Sequence, residues 1–76
     1  MKQDQPTSLK QRFGAAVRKR RLALRISQEE LADRAGLHRT YITDVERGVR
    51  NISLEAIGKL AKGLQCSLSS LFEEVR

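Results

Sequence analysis

Residues 39–47 combine hydrogen-bonding side chains in the way that a surface for reading DNA bases requires. At about 100° per residue in a helix, Arg39, Thr40, Thr43 and Arg47 fall within one arc of about 100°. The opposite arc carries the apolar side chains Tyr41, Ile42 and Val45. Arg39 is the best candidate for a base contact, because a guanidinium can donate two hydrogen bonds to guanine O6 and N7. An isolated helix of this kind is usually an ordinary surface helix, so its interpretation depends on what surrounds it.

The residues before this helix have the pattern of a helix followed by a tight turn. Ser27 and Glu30 form a capping-box pair at the expected start of the earlier helix, and Gly36 is well suited to the left-handed conformation that ends it. His38 is expected to cap the following helix, which Gly48 ends in the same way. This is the helix-turn-helix plan, in which the second helix lies in the major groove of DNA.

Positive charge is concentrated in the first third of the chain. Residues 1–26 hold eight Lys or Arg against Asp4 alone, residues 27–50 hold four against five acidic residues, and residues 51–76 hold three against three, for a net charge of +6. Part of this excess will be solvated or paired inside the fold. The remainder forms a positive field suited to phosphates, and beside a helix-turn-helix it favours nucleic acid as the partner.

Serine residues mark the starts of three further helices. Ser8 with Gln11 repeats the capping-box pattern, Ser53 precedes a fourth helix and Ser67 precedes a fifth. The first helix is expected to run to about Leu24. Apolar residues at helical spacing predict the core faces: Leu9, Phe13, Ala16, Val17 and Leu24 in the first helix, Leu54, Ile57, Leu60, Ala61 and Leu64 in the fourth, which Gly63 is expected to end, and Leu68, Leu71, Phe72 and Val75 in the fifth, which is expected to span residues 68–75. No strand pattern appears, so the sequence predicts a compact all-α domain of five helices.

Length and composition limit the chain to one small domain. With 76 residues, 39% of them hydrophobic, it can bury only about 60% of its surface and is marginally stable alone. We expect residues 1–7 to form a flexible polar tail and residues 8–76 to form the domain. No apolar run approaches the roughly 18 residues that span a membrane, and the first residues lack a signal-peptide core. No membrane contact and a cytoplasmic location are therefore expected.

The sequence lacks the residue patterns of catalytic and metal sites. It has no Ser/His/Asp set, no Gly-rich phosphate loop and no metal-ligand spacing, and one histidine with one cysteine cannot form a metal site. Cys66 cannot form an internal disulfide and is expected to be a small buried hydrophobe. We therefore expect no enzyme activity, no cofactor and no small-molecule ligand.

The stretch from Arg21 to Phe72 resembles the Xre family, the phage-repressor and Cro type of helix-turn-helix protein. The resemblance covers about two-thirds of the chain and rests on residues 27–32 (Ser-Gln-Glu-Glu-Leu-Ala), 35–37 (Ala-Gly-Leu), 41–42 (Tyr-Ile), 45–48 (Val-Glu-Arg-Gly) and the helix from Ser53 to Ala61. Residues 38–42, 46–48 and 50–51 are most similar to the controller proteins of restriction–modification systems. Prophage and host regulators share many of these residues, and the DNA-binding antitoxin of a toxin–antitoxin pair is a further alternative.

The resemblance implies a transcriptional regulator that binds a specific sequence of double-stranded DNA. Family members read bases from the start of the recognition helix, which implies base contacts for Arg39 and Thr40, with Thr43 on the same face. Contacts to the DNA backbone are implied for Gln28, His38, Arg47, Arg50 and Asn51. Where family repressors often carry a second amide that reads a base, this chain has Asp44. A carboxylate there would repel phosphate and can at most accept a hydrogen bond from cytosine N4.

Four of these positions also have an ordinary structural interpretation. Thr43 is either a base reader or a tolerated surface residue, and His38 is better explained as a cap or a phosphate neighbour than as a base reader. Tyr41 lies at the edge of the core arc, so packing is favoured over a DNA contact. Arg47 either holds a phosphate or complements the dipole at the end of its helix.

The resemblance also implies the contacts that hold the domain and its assembly together. In the resembling repressors, an Arg and a Glu at the positions of Arg21 and Glu46 tie the first helix to the recognition helix. Family members bind palindromic operators as dimers. A homodimer is therefore expected here. The last helix and the loop before the fourth carry more apolar surface than a domain this small needs, so they are expected to form the interface: Ile52, Leu68, Leu71, Phe72 and Val75. Leu71 or Phe72 is expected at its centre.

Overall fold

A computed structural model describes residues 8–76 of the chain. These residues form five α-helices and no strand: α1 (Leu9–Ala23), α2 (Gln28–Ala35), α3 (Arg39–Arg47), α4 (Leu54–Gly63) and α5 (Leu68–Glu73). The prediction of an all-α fold with five helices is confirmed. The last helix ends two residues before the predicted Val75, and the expected tail of residues 1–7 lies outside the described residues.

Serine side chains cap four of the five helices. The hydroxyls of Ser8, Ser27, Ser53 and Ser67 each accept a hydrogen bond from the backbone N–H three residues later, as their spacing predicted. At α1 the box is complete, since the Ser8 N–H also donates to the Gln11 side chain. These hydrogen bonds satisfy donors that a helix start leaves without partners.

The start of the helix-turn-helix departs from this pattern in two ways. The carboxylate of Glu30 does not return to Ser27 but pairs with Arg34 one turn later, at 3.0 Å, so only half of the predicted capping box forms. His38 has the extended backbone of an N-cap residue, but its side chain makes no capping hydrogen bond. The prediction that His38 caps α3 is therefore wrong for the side chain. The imidazole is exposed at the start of that helix.

Left-handed residues end the helices and turn the chain. Gly36 and Gly48 take φ values of 69° and 76° directly after α2 and α3, as predicted. After α4 the left-handed residue is Gln65, with φ of 59°. Gly63 does not make this turn; it packs closely against α2, where an added Cβ would lie 3.0 Å from the Leu31 side chain.

Buried apolar residues from all five helices form one core. α1 and α2 both contact α3, α2 also contacts α4, and α5 contacts α1 and α4. Leu9 and Leu54 were predicted to face this core but are 63% and 79% exposed. Each is the first residue of its helix, where no neighbouring helix covers it. Cys66 is half-buried and packs against the core rather than inside it. The largest fully buried side chains are Val17, Leu31, Ile42, Val45, Leu60, Leu64 and Leu71.

The crossing of α1 and α3 depends on Gly14, a residue without a side chain. A Cβ at Gly14 would overlap the carbonyl oxygen of Val45 and would lie 3.0 Å from that of Glu46. Because these oxygens belong to the backbone of α3, they cannot move unless the two helices separate. The absence of a side chain at Gly14 thus sets the closeness of the helix pair that positions the recognition helix.

We expect Gly14→Ala to lower the free energy of unfolding by about 1–3 kcal/mol, the usual cost of overpacking. Gly58→Ala is the matched control, because Gly58 also lies inside a helix but has nothing within 4 Å of an added Cβ. That change should raise the free energy of unfolding by about 0.5–1 kcal/mol through helix propensity alone. Urea denaturation measures both. Equal or greater stability of Gly14→Ala relative to the wild type would contradict the close crossing.

Candidate nucleic-acid interface

A buried ion pair joins the end of α1 to the end of α3. Arg21 Nε donates to Glu46 Oε2 at 2.7 Å, and Arg21 Nη2 donates to Glu46 Oε1 at 3.0 Å. The two side chains are only 9% and 4% exposed. The third contact of the guanidinium runs from Nη1 to the Ile26 carbonyl at 2.9 Å, which also secures the connection between α1 and α2. Two parallel hydrogen bonds to one carboxylate are the strong geometry for an Arg pair.

Gln28 extends this pair into a network between the two helices of the helix-turn-helix. Its amide Nε2 donates to Glu46 Oε1 at 3.0 Å, and its Oε1 accepts from the Thr43 hydroxyl at 3.0 Å. The same hydroxyl lies 3.1 Å from the Arg39 carbonyl, and since it has one proton, it donates to one acceptor at a time. The network fixes the start of α2 against the middle of α3.

This network changes what was expected of two residues. Gln28 was predicted as a phosphate anchor, but its carbonyl and one amide hydrogen are engaged inside the domain, so at most the second amide hydrogen is left for DNA. Thr43 was predicted as a base reader, but it is half-buried and its hydroxyl bonds within the protein. The structure therefore gives both side chains a positioning role.

Three other polar residues of α3 face outward. Arg39, Thr40 and Arg47 are exposed, whereas Ile42 and Val45, on the opposite side, are 0% and 1% exposed. The helix therefore presents one hydrogen-bonding face to solvent while the other is locked into the core. His38 before the helix and Asn51 after it are also exposed.

Arg50 is held beside this face by two side chains of α3. Its Nη2 donates to Asp44 Oδ2 at 3.1 Å, and its guanidinium carbon lies 4.5 Å from the centroid of the Tyr41 ring. Sequence reasoning missed this cluster and treated Asp44 as an unpaired negative charge. The sequence did contain one indication of this cluster. Tyr41 and Asp44 are three residues apart, so they lie on the same side of α3, and Arg50 follows the turn at Gly48 closely enough to reach them.

The residues predicted for a dimer interface divide into three groups by their exposure. Leu68 and Phe72 are 46% and 44% exposed, and Ile52 and Val75 are half-buried. Leu71 is fully buried in the core, so of the two residues expected at the centre of the interface only Phe72 is available at the surface. The short helix turns Leu71 inward and leaves Phe72 at the surface.

An apolar surface does surround Phe72, although not with the predicted membership. Its ring packs against Phe13 with centroids 5.8 Å apart. Beside it lies a cavity of about 250 Å³, lined in part by Leu9, Ile52, Ile57 and Phe72. These four residues are called the Phe72 patch below. Leu9, the exposed first residue of α1, belongs to the patch because it lines the same cavity as Phe72 of α5 and Ile52 of the loop before α4.

The rest of residues 8–76 adds no other kind of site. The described residues contain no group of three or more His, Cys, Asp or Glu that could hold a metal ion. None of the helices described is long and apolar enough to cross a membrane.

The chain is similar to proteins of one kind. Residues 17–71 match the helix-turn-helix family (HTH_3). The control protein C.BamHI of Bacillus amyloliquefaciens is 55% identical over 53 residues, a match that covers 68% of this chain and 65% of that protein, just under two thirds of its length. The control protein C.MunI of Mycoplasma sp is 40% identical over 68 residues, with 88% and 92% covered. The crystal structure of the restriction-modification controller protein C.AhdI from Aeromonas hydrophila has a TM-score of 0.80 and 46% identity, with 83% and 96% covered.

We expect Glu46→Ala to lower the free energy of unfolding by about 3–5 kcal/mol, because it leaves the Arg21 charge buried without a partner. Glu30→Ala is the matched control, since it removes a carboxylate that pairs with Arg34 at the surface, where side chains are 34% and 48% exposed. That loss should not exceed about 0.5 kcal/mol. Thermal and urea unfolding without DNA measure both, and similar losses for the two variants would refute the importance of the buried pair.

Proposed function

Because the chain belongs to the helix-turn-helix family and, within it, to the control proteins of restriction–modification systems, we propose that it is a dimeric regulator of transcription that binds a palindromic operator. The observation that carries this proposal is the exposed hydrogen-bonding face of α3, held in place by the buried contacts of Arg21, Gln28 and Glu46. A helix supported in this way can enter the major groove without rearranging. The three relatives compared are control or controller proteins rather than enzymes.

Base reading is assigned to the start of α3. Arg39 and Thr40 are exposed in its first turn, and the guanidinium of Arg39 matches the acceptor pair of guanine. Thr43 contributes through its methyl group or by aligning the helix, since its hydroxyl already has acceptors within the protein. Specificity would therefore rest mainly on two side chains per protomer.

Phosphate contacts are assigned to the exposed polar residues at the edges of the helix-turn-helix. His38 and Arg47 lie at the two ends of α3, and Asn51 lies in the loop that follows. Gln28 adds the second hydrogen of its amide at the start of α2, where the helix dipole favours an anion. Such contacts fix the register of the protein on DNA but carry no sequence information.

Dimerisation is assigned to the Phe72 patch, with Leu68 and Val75 at its margin. A domain of this size gains stability from burying such a surface against a second copy. A symmetric dimer would place its two recognition helices on half-sites about 10–10.5 bp apart or a multiple of that. The exposure of Leu9 supports this assignment, because the domain's own core does not use that side chain.

The similarity to control proteins favours that function over the two alternatives, a prophage or host repressor and the antitoxin of a toxin–antitoxin pair. An antitoxin would be recovered with a stoichiometric small toxin in a pull-down from its native host. A control protein should be encoded beside a methyltransferase and an endonuclease, and it should bind the promoter region of that operon. Gene neighbourhood and binding to that promoter region therefore separate a control protein from a prophage repressor.

We expect Phe72→Glu to yield a monomer at concentrations at which the wild type is a dimer, because it places a charge inside the apolar interface. Since Phe72 also contacts Phe13, Leu9→Glu is a second variant that tests the same patch from a side chain 63% exposed. Leu22→Glu is the matched control, an exposed leucine on α1 outside the patch. Analytical ultracentrifugation at tens of micromolar decides, and wild-type protein that is monomeric there would contradict the dimer.

We expect Arg39→Ala to cost about 1–3 kcal/mol of binding free energy on the operator and little on scrambled DNA, because it removes a base contact. Arg47→Ala should weaken binding to both duplexes alike, as the loss of a phosphate contact does. The operator is the duplex that the wild type enriches from a random pool, and fluorescence anisotropy gives the affinities. Equal losses on both duplexes for Arg39→Ala would make Arg39 a backbone contact.

A further inference from the structure

Asp44 is a carboxylate on the face of α3 that is otherwise made of hydrogen-bond donors. At about 100° per residue it falls about 40° from Thr40 around the helix, so it faces the same side as the proposed base readers. Its side chain is 26% exposed. A negative charge in this position opposes the approach of phosphates, and the domain buries it only in part.

The loop after α3 is built around Asp44. The Val49 N–H donates to the Asp44 backbone carbonyl at 3.2 Å, and the Arg50 guanidinium donates to its carboxylate at 3.1 Å. Tyr41 supplies a ring face 4.5 Å from the same guanidinium. Backbone and side-chain contacts together thus place a cation directly against the Asp44 carboxylate.

The pair between Asp44 and Arg50 can change partners, unlike the pair inside the domain. The Arg50 side chain is 39% exposed, and pairs as open as this contribute little to folding. A cleft of about 590 Å³, lined in part by Thr40, Tyr41 and Arg50, leaves room for the guanidinium to turn. Breaking the contact therefore costs little, provided that each charge finds a new partner.

We propose that Asp44 is a specificity-determining residue that controls whether Arg50 contacts DNA. On the operator, the carboxylate accepts a hydrogen bond from a cytosine N4 amino group, and the released guanidinium of Arg50 binds a phosphate. On other sequences the carboxylate has no donor, so it keeps Arg50 and that phosphate contact is not made. This proposal rests on the DNA-binding function above and names a discriminating element within it.

The exchange makes one phosphate contact conditional on one base. Phosphate contacts ordinarily strengthen binding to all sequences equally. Here the contact of Arg50 is gained only where Asp44 is satisfied, because an unpaired carboxylate would remain against the DNA otherwise. Asp44 thereby converts a contact without sequence information into a contribution to specificity.

The test uses Asp44→Asn, which keeps the size of the side chain and removes its charge. Freed from Asp44, Arg50 should bind phosphates on any duplex, so on scrambled DNA the slope of log affinity against log salt should steepen by about 0.9 per protomer. Scrambled-duplex affinity at low salt should rise about tenfold, while affinity for the selected operator changes less. Selection from a random pool with Asp44→Asn should lose a cytosine preference at one position in each half-site.

Arg50→Gln is the matched control. In the wild-type background it should flatten the salt slope on the operator and leave the slope on scrambled DNA unchanged. In the Arg50→Gln background, adding Asp44→Asn should no longer steepen the slope on scrambled DNA. A steepening of the same size there would show that the loss of negative charge alone is responsible, and it would overturn the proposal.

The remaining outcomes separate this inference from the proposed function. If the wild type enriches no sequence from the random pool, DNA-binding specificity itself fails. If the wild type enriches an operator but Asp44→Asn keeps the wild-type ratio of affinities and both salt slopes, the exchange is wrong and the proposed function stands. Thermal unfolding of Asp44→Asn and Arg50→Gln is measured alongside. An unchanged melting temperature shows that the binding affinities compared are those of folded protein.

Discussion

The domain depends on one buried charge pair, that of Arg21 and Glu46. Burying two opposite charges is costly unless the geometry is good and the remaining hydrogen-bonding groups are satisfied. Here both conditions hold, since each oxygen of Glu46 accepts from Arg21, Gln28 adds a further donor, and the third contact of Arg21 is the Ile26 carbonyl. The pair therefore specifies one arrangement of α1, the connection to α2, and α3.

The same pair explains why the recognition helix is divided into two functional faces. Glu46 is 4% exposed and fixes the C-terminal half of α3 from inside, while Gln28 and Thr43 fix its middle. The side chains of Arg39 and Thr40, in the first turn, are not part of this network and remain exposed. A rigid helix that presents these side chains suits recognition, because little backbone order has to be gained on binding.

The outline of the fold could be predicted from the sequence because it follows local rules. Serine caps, left-handed glycines and apolar residues at helical spacing each act within a few residues, and they located the helices to within one or two positions. The errors concern tertiary surroundings. Leu71 and Phe72 are adjacent on a six-residue helix, and only the position of the neighbouring helices decides which is buried. The contact of Gln28 with Glu46 could not be predicted either, because nothing local reveals that the two side chains lie 3.0 Å apart.

Asp44 and Glu46 show how burial alone separates a structural pair from an exchangeable one. Both lie on α3, and both bind an arginine from another part of the chain. Glu46 is enclosed, so losing Arg21 would leave its charge buried without a counter-ion, and the pair persists. The Asp44 carboxylate is 26% exposed and that of Glu46 only 4%, so the outer pair can open when both of its charges find new partners. Only the exposed pair has alternatives to choose between, and DNA offers a phosphate for one partner and a base for the other.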